Sequence, residues 1–166
     1  NDAFSLSEDV LLNMSDLAEP KAREQSFRVI ALLHNTVGDY QSGNFYADIV
    51  IRESTDATSK CAAWQVKVES MYHLKQYAKF NSEVEQALSS CKSADSKLFE
   101  VIILAYKARQ LEETSKNKEA LQLLLSNLDN ANATQFPQVI SGYNALIARS
   151  YLREDDLNNA ERYALR

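Results

Sequence analysis

Glycine and proline are scarce in this chain, which has only three of the first and two of the second among 166 residues. Sheet proteins need many tight turns, and tight turns usually require both residue types. The chain is rich instead in alanine, leucine, glutamate, lysine and glutamine, which are good helix formers. Apolar residues also recur at helical spacing almost throughout. The sequence therefore predicts an all-α fold, long enough to bury a core of its own.

We predict about nine helices in a single domain over 1–166, joined by short connections that favour antiparallel neighbours. Pro20 and Pro137 suit the first turn of a helix, where a missing N–H costs nothing. Asp95 and Ser115 are candidate N-caps. The predicted ranges are 7–18, 20–37, 39–53, 57–74, 77–92, 95–112, 116–130, 135–153 and 155–166.

The pattern of large and small residues repeats with a period near 39. One set of large residues is spaced by 39 and 40 and comprises Trp64, Ile103 and Tyr143. A second set, spaced by 38, 39 and 40, comprises His34, Tyr72, Leu111 and Tyr151. Small residues recur in pairs, which are Ala31 with Gly43, Ala108 with Ala120, and Ala148 with Ala160. We expect the small residues where two helices of a hairpin come closest, and the large ones between stacked hairpins.

This register resembles the tetratricopeptide repeat family over about residues 20–166. The family shows a large-small-x-x-aromatic run, a short turn such as Gly38-Asp39-Tyr40, and a small residue on the second helix. The period is nearer 39 than the usual 34. The second pair carries Glu69 and Asn81 at the small positions, and the closing proline is absent. The resemblance implies a divergent α-α superhelix of four stacked hairpins behind an N-terminal helix; an unrelated helical bundle is the alternative.

No catalytic constellation is evident in the sequence. The two histidines, His34 and His73, have no glutamate at the spacing of a zinc protease motif. Neither a nucleophile elbow nor a phosphate-binding glycine loop occurs. Adjacent carboxylates such as Glu112 and Glu113 are more typical of solvated faces and helix ends than of acid–base pairs. We expect no catalytic residue, no cofactor and no metal; an enzyme is the least favoured class.

The charge and hydropathy of the chain argue against two classes of partner, nucleic acids and membranes. The net charge is −5, whereas nucleic acid binding relies on a positive field. The longest strongly apolar run, 101–106, is too short to span a bilayer. We therefore expect no nucleic acid partner and no membrane insertion. The start at Asn1 and the end inside a predicted helix indicate a fragment of a longer protein.

The resemblance implies that the first helices of the pairs line a concave surface that binds a peptide or another protein. Aligning the repeats places seven polar residues there, which are Arg28, Asn35, Ser70, His73, Arg109, Arg149 and Arg153. Arginine binds carboxylates through a planar, bidentate fork. An acidic peptide or a small anionic ligand would fit. The alternative is that these arginines pair with nearby acids such as Glu112.

The two cysteines are placed to form a disulfide. Cys61 and Cys91 each lie 15 residues from Gln76, the centre of a predicted helix–helix turn. In an antiparallel hairpin they therefore reach the same height. Packed helices can bring their Cα atoms within the range that a disulfide needs. Two buried, reduced cysteines are the alternative. A disulfide would favour a periplasmic over a cytoplasmic location.

The irregular period, acidic charge and small size are similar to helical-repeat input regions of bacterial signalling proteins. In that group a periplasmic segment precedes a membrane helix and a cytoplasmic output domain, often a GGDEF diguanylate cyclase or a histidine kinase. The resemblance implies a sensory domain that binds a ligand or partner. The alternative is a cytoplasmic adaptor or regulator that uses the same array for protein assembly.

Overall fold

The computed structural model describes residues 20–166, and the predicted helix 7–18 lies outside that part of the chain. Helices account for 84% of the described residues, which contain no strand, so the all-α prediction is confirmed. These residues form nine helices, which are α1 Pro20–Thr36, α2 Tyr40–Glu53, α3 Ala57–His73, α4 Tyr77–Ser93, α5 Lys97–Glu113, α6 Asn117–Ser126, α7 Leu128–Ala133, α8 Pro137–Arg153 and α9 Leu157–Ala164.

The helices pack as four stacked hairpins. The first hairpin is α1 with α2, the second α3 with α4, the third α5 with α6 and α7, and the fourth α8 with α9. The first helices also touch in order, α1 on α3, α3 on α5 and α5 on α8. This arrangement is compatible with a tetratricopeptide-like array.

All four first helices are 17 residues long. Their starting residues are 37, 40 and 40 positions apart, close to the predicted period. The second hairpin is nevertheless displaced by one position from the sequence alignment. Val68 and Phe80, both fully buried, take the places of the small pair, and Glu69 and Asn81 do not. The second hairpin therefore fills these positions with apolar bulk.

A residue in the left-handed region closes each hairpin turn. These residues are Gly38, Lys75, Ser115 and Asp155, with φ of 85°, 56°, 62° and 59°, and they follow the same 37, 40 and 40 spacing. The next backbone N–H donates to the carbonyl five residues back, at 2.9 Å from Asp39 to His34 and 3.0 Å from Gln76 to Met71. This bond is the Schellman closure of a helix C-terminus. The turns thus give the repeat register independently of the side chains.

The predicted N-caps Asp95 and Ser115 are wrong. Both adopt positive φ, and each precedes the actual cap, Ser96 or Lys116. Aspartate side chains do cap α2, α3 and α9, where they accept backbone hydrogen bonds; these are Asp39, Asp56 and Asp156. Pro137 begins α8 at its first turn, as predicted.

The first set of predicted large residues and the small pairs are buried; in the second large set Leu111 is buried, and His34, Tyr72 and Tyr151 are half-buried. Trp64, Ile103 and Tyr143 are buried, with exposures of 7%, 0% and 2%. The six small residues of the first, third and fourth hairpins are all buried. Both observations confirm that the size pattern marks the packed faces.

The second helix of the third hairpin breaks at Asn127, although the sequence predicts one uninterrupted helix over 116–130. The Asn127 side-chain amide donates to the carbonyl of Leu123 at 2.9 Å, and its backbone N–H bonds Leu124, only three residues back. Such local side-chain bonds compete with the helical ladder. The helix resumes as α7, so residues 117–133 match α4 in total length.

Cys61 and Cys91 link α3 to α4 with an S–S distance of 2.07 Å and a Cα–Cα distance of 4.6 Å. This is the pairing that their matched heights predict. Both are fully buried at the end of the hairpin away from its turn. For a sequence separation of 30, the chain-entropy model gives a stabilisation of about 3–4 kcal/mol.

Candidate functional site

The surface built by α1, α3, α5 and α8 is called here the first-helix face, and the seven predicted binding residues all lie on these helices. The 37, 40 and 40 spacing gives every position on one helix a counterpart on the next. One such set comprises Leu32, Glu69, Arg109 and Arg149. In this set the α3 position is acidic and the α5 and α8 positions are arginines.

Asn35 and Ser70 are buried, with exposures of 5% and 0%. The Ser70 hydroxyl donates to Asn35 Oδ1 at 2.7 Å, and Asn35 Nδ2 donates to the Val66 carbonyl at 3.1 Å. These bonds hold α1 against α3. Asn35 and Ser70 therefore lie within the helix interface, and not on the open face where the sequence predicts a contact with a partner.

Glu112 is a buried carboxylate between α5 and α8, with a side chain only 1% exposed. It accepts hydrogen bonds from the Arg149 guanidinium and, at 2.6 Å, from the Ser150 hydroxyl. Arg153 donates to the Glu112 backbone carbonyl at 3.1 Å. A buried charge is costly unless it is paired, so Arg149 is committed to Glu112. For Arg149 the structure shows the alternative that the sequence left open, pairing with Glu112, whereas Arg153 bonds only the Glu112 backbone carbonyl.

A polar couple recurs at each junction between first helices. The Tyr106 hydroxyl of α5 donates to Glu69 of α3 at 2.6 Å, as Ser70 donates to Asn35 and Ser150 to Glu112. Each couple joins a hydroxyl to a side-chain oxygen of the neighbouring helix. Sequence reasoning missed these couples; the available signal was a polar residue at an otherwise apolar helical position.

His73 lies exposed at the end of α3, as a groove position should. Its ring stacks on Tyr40, with centroids 4.2 Å apart and planes within 7°. Partial burial lowers the pKa of His73 below its usual value; the charges of Arg109 and Lys75 add to the lowering, while Glu69 opposes it. The imidazole is therefore neutral at neutral pH and adds an aromatic surface, with no charge, to the first-helix face.

Glu113 ties the second hairpin turn to the end of α5. Its carboxylate accepts hydrogen bonds from the Lys75 ammonium, from the Tyr77 hydroxyl and, at 2.6 Å, from the Tyr72 hydroxyl. The Lys75 bond first, and then the two hydroxyls, lower the pKa of Glu113 to about 2. All acceptor capacity is used locally, so this cluster is a structural tie.

Arg109 differs from the arginines of α8. No described carboxylate lies within ion-pair distance of its guanidinium, and its Nε is buried without a hydrogen-bond partner. The guanidinium carbon lies 5.2 Å from the centroid of Tyr106, a cation–π contact. Arg28, partly exposed on α1, likewise has no ion pair with any described residue. Of the four predicted arginines, only Arg149 is paired with a described carboxylate. Arg28, Arg109 and Arg153 have none, and of these three only Arg109 has a buried nitrogen without a hydrogen-bond partner.

A pocket of about 180 Å³ opens beside Arg109 between α5 and α8. Its polar lining consists of Tyr106, Arg109, Gln138 and Tyr143, and includes no carboxylate. Tyr143 is 2% exposed, and its hydroxyl has no hydrogen-bond partner. Burial raises the pKa of Tyr143, which keeps this hydroxyl protonated and able to donate. Two of the residues that line the pocket, one on each helix, thus carry an unsatisfied donor.

Within residues 20–166, no group of three or more histidine, cysteine, aspartate or glutamate side chains is placed to hold a metal ion. No described helix has the length and apolar character needed to cross a lipid bilayer. No protein-family model matches the chain, and comparison with curated proteins and with solved structures also gives no match.

Proposed function

We propose that this chain is a non-catalytic binding module that takes an acidic peptide or protein segment on its first-helix face. The observation that carries the proposal is Arg109, a half-buried cation with no ion pair to a described residue and with an unsatisfied Nε. A buried donor without a partner is costly, and hydrogen bonds between charged groups are the stronger ones. A carboxylate from a partner would satisfy both demands.

The surroundings of Arg109 favour an external carboxylate. The nearest acidic residue in the register, Glu69, already accepts hydrogen bonds from Tyr106 at 2.6 Å and from Gln65 at 3.1 Å. Tyr106, fixed by that bond, supports the guanidinium with its ring. The arginine is therefore oriented in advance, which lowers the entropic cost of binding.

A second cation suggests an extended ligand. Arg28 lies on α1, two first helices away from Arg109 on α5. Neighbouring helix axes are about 8–10 Å apart, so the two charges are separated by roughly 20 Å. An extended peptide covers that distance with about six residues at roughly 3.3 Å each. Between the arginines it would cross two stacked neutral rings, the half-buried ring of Tyr40 and the exposed ring of His73.

We propose further that the module is the periplasmic sensory region of a bacterial signalling protein with a GGDEF or histidine kinase output domain. The Cys61–Cys91 disulfide supports this location, because cytosolic thiols are normally kept reduced. A cytoplasmic adaptor is the alternative. Thiol labelling of the protein in intact cells and the coding sequence on both sides of residues 1–166 distinguish the two.

The test is fluorescence anisotropy with a labelled hexaglutamate peptide at low ionic strength. Arg109→Gln should weaken binding at least tenfold, the effect expected for about 1.5–3 kcal/mol lost with a charged hydrogen bond. Arg28→Gln should weaken it to a smaller extent. Arg52→Gln is the matched control, since Arg52 is exposed on α2, away from the first helices.

Arg149 is unsuitable for this test, because its loss would leave the buried Glu112 unpaired. Circular dichroism should show that each variant keeps its helix content. Absence of hexaglutamate binding, or equal weakening by Arg52→Gln, would contradict the proposal. Turnover of a substrate by the isolated chain would contradict its non-catalytic part.

A further inference from the structure

We propose that the pocket between α5 and α8 is a binding site for a small monocarboxylate with a branched apolar tail. This is a second class of ligand, distinct from the acidic segment proposed for the first-helix face. The two sites share Arg109, and Tyr106, whose ring supports that guanidinium, also lines the pocket. The inference rests on three observations, namely the donors, the apolar wall and a glycine without a packing role.

The donors come from facing helices. The Tyr143 hydroxyl of α8 and the Arg109 Nε of α5 are both buried, both without hydrogen-bond partners, and both residues line the same pocket. Buried polar groups in native proteins are nearly always hydrogen-bonded, so two unsatisfied donors on residues that line one cavity point to an acceptor supplied from outside. The positive charge of Arg109 and the absence of any lining carboxylate make that acceptor an anion. A carboxylate, with two oxygens, can accept from both donors.

The remainder of the pocket selects for an apolar body. Its wall is formed by Val101, Ile102, Ala105, Val139 and Leu146. The volume of about 180 Å³ corresponds to about six water molecules at roughly 30 Å³ each. A carboxylate with a tail of about five carbons matches that size. Ligand pockets commonly combine such an apolar lining with a few convergent polar groups.

Gly142 supplies the third observation. It lies within α8, where glycine weakens a helix, yet a Cβ at this position would meet no atom within 4 Å. Close packing therefore does not explain the glycine. Gly142 lines the pocket, and its missing side chain leaves part of the pocket open. A bulky residue here would occupy the space that the proposed tail requires.

The experiment is isothermal titration calorimetry of the full chain with 4-methylpentanoate, which has a carboxylate and a branched tail of the right size. Acetate has the carboxylate without the tail, and 4-methylpentanamide has the tail without the charge. We expect 4-methylpentanoate to bind at least tenfold more tightly than either. Equal affinity for the amide, or no heat with 4-methylpentanoate, would overturn the proposal.

Variants locate the site. Tyr143→Phe removes only the hydroxyl and should weaken 4-methylpentanoate binding about tenfold, as expected for one lost buried hydrogen bond. Gly142→Leu should abolish binding, and Ser141→Leu, at an exposed neighbour outside the pocket, should leave it unchanged. Circular dichroism identifies any variant that fails to fold. If Gly142→Leu does not fold, Tyr143→Phe remains decisive, and unchanged binding in Tyr143→Phe would overturn the site.

The two proposals can fail separately. Tyr143→Phe and Gly142→Leu should still bind hexaglutamate as the wild type does, whereas Arg28→Gln should still bind 4-methylpentanoate. One outcome would overturn the pocket proposal: Arg109→Gln loses binding of both ligands, while Gly142→Leu binds 4-methylpentanoate as tightly as the wild type. That result would place the small ligand on the open first-helix face.

Discussion

Gly43 shows how one residue sets the distance between two helices. A Cβ at Gly43 would overlap Asn35 Oδ1 and would lie 3.2 Å from the Ala31 carbonyl oxygen. Asn35 cannot turn aside freely, because it bonds the Val66 carbonyl at 3.1 Å and the Ser70 hydroxyl at 2.7 Å. Because Gly43 has no Cβ, α1 and α2 can pack closely together while the Asn35 side chain stays in place and joins α1 to α3.

We predict opposite effects for the same substitution at two helical glycines. Gly43→Ala should lower the free energy of unfolding by about 1–3 kcal/mol, the usual cost of overpacking. Gly142→Ala should raise it by roughly 0.5–1 kcal/mol, because alanine is the better helix former and nothing lies within 4 Å. Urea unfolding of both variants measures the two changes. A loss of stability at both positions would refute this account of Gly142.

Single residues are also where the sequence predicted the binding surface least well. Asn35, Ser70 and Glu112 all lie at the margin between the buried side of a first helix and its open face. One position along a helix turns a side chain by about 100°. The alignment of the second hairpin is wrong by one residue, so it assigns each side chain there to the wrong side of its helix. Arg109 lies on a first helix and has no acidic partner among the described residues, whereas Arg149, its counterpart 40 residues on, is held by Glu112. The sequence offered that pairing as an alternative, and a repeat alignment alone does not decide which arginine is paired.

Helix boundaries, in contrast, followed from the sequence with small errors. Most predicted ends within 20–166 lie within two residues of the observed ones, since apolar periodicity, prolines and short connections fix each helix. The turns were less predictable. Of the four hairpin turns, only the one at Gly38 has a glycine, the residue type from which a left-handed conformation can be predicted. Lys75, Ser115 and Asp155 adopt that conformation although they are not glycine. The packing of the two helices in each hairpin imposes this left-handed conformation, and the residue types in the turn do not indicate it.

Relieving one of these turns should stabilise the hairpin. Ser115 has φ of 62°, a region that costs a residue with a Cβ about 1–2 kcal/mol. Ser115→Gly should therefore raise the free energy of unfolding by about 0.5–1 kcal/mol, after the greater flexibility of glycine in the unfolded chain is counted. Ser82→Gly, at an exposed position within α4, is the control and should lower it. Thermal or urea unfolding distinguishes the two signs, and a destabilised Ser115→Gly would contradict the strain argument.

Residues 20–166 form three hydrophobic clusters in a row. The N-terminal cluster joins the first two hairpins and consists of Ala31, Ala47, Val50, Ala63 and Val66. The central cluster surrounds the disulfide and includes Trp64, Phe80 and Ile103. The C-terminal cluster joins α5 to the last hairpin and includes Tyr143, Ile147 and Tyr163. Ile51 packs against both of the first two clusters. Stability in such an array is approximately a sum over neighbouring units.

The effect of a core truncation should therefore depend on its place in the row. Trp64→Ala removes a side chain that packs in the central cluster and carries Lys67 over its ring at 4.8 Å. We expect this change to lower the free energy of unfolding by about 3–5 kcal/mol and to lower amide hydrogen-exchange protection from α1 to α5.

Tyr163→Ala removes a ring stacked on Tyr151 at 5.6 Å in the last hairpin. Its loss of protection should be concentrated in α8 and α9, with α1 and α2 nearly unchanged, because two hairpins separate them. Hydrogen exchange monitored by mass spectrometry reads both patterns from the same peptides. Uniform loss of protection in both variants would show that the four hairpins unfold as a single unit, and a fully stable Trp64→Ala would show that Trp64 does not hold the central cluster together.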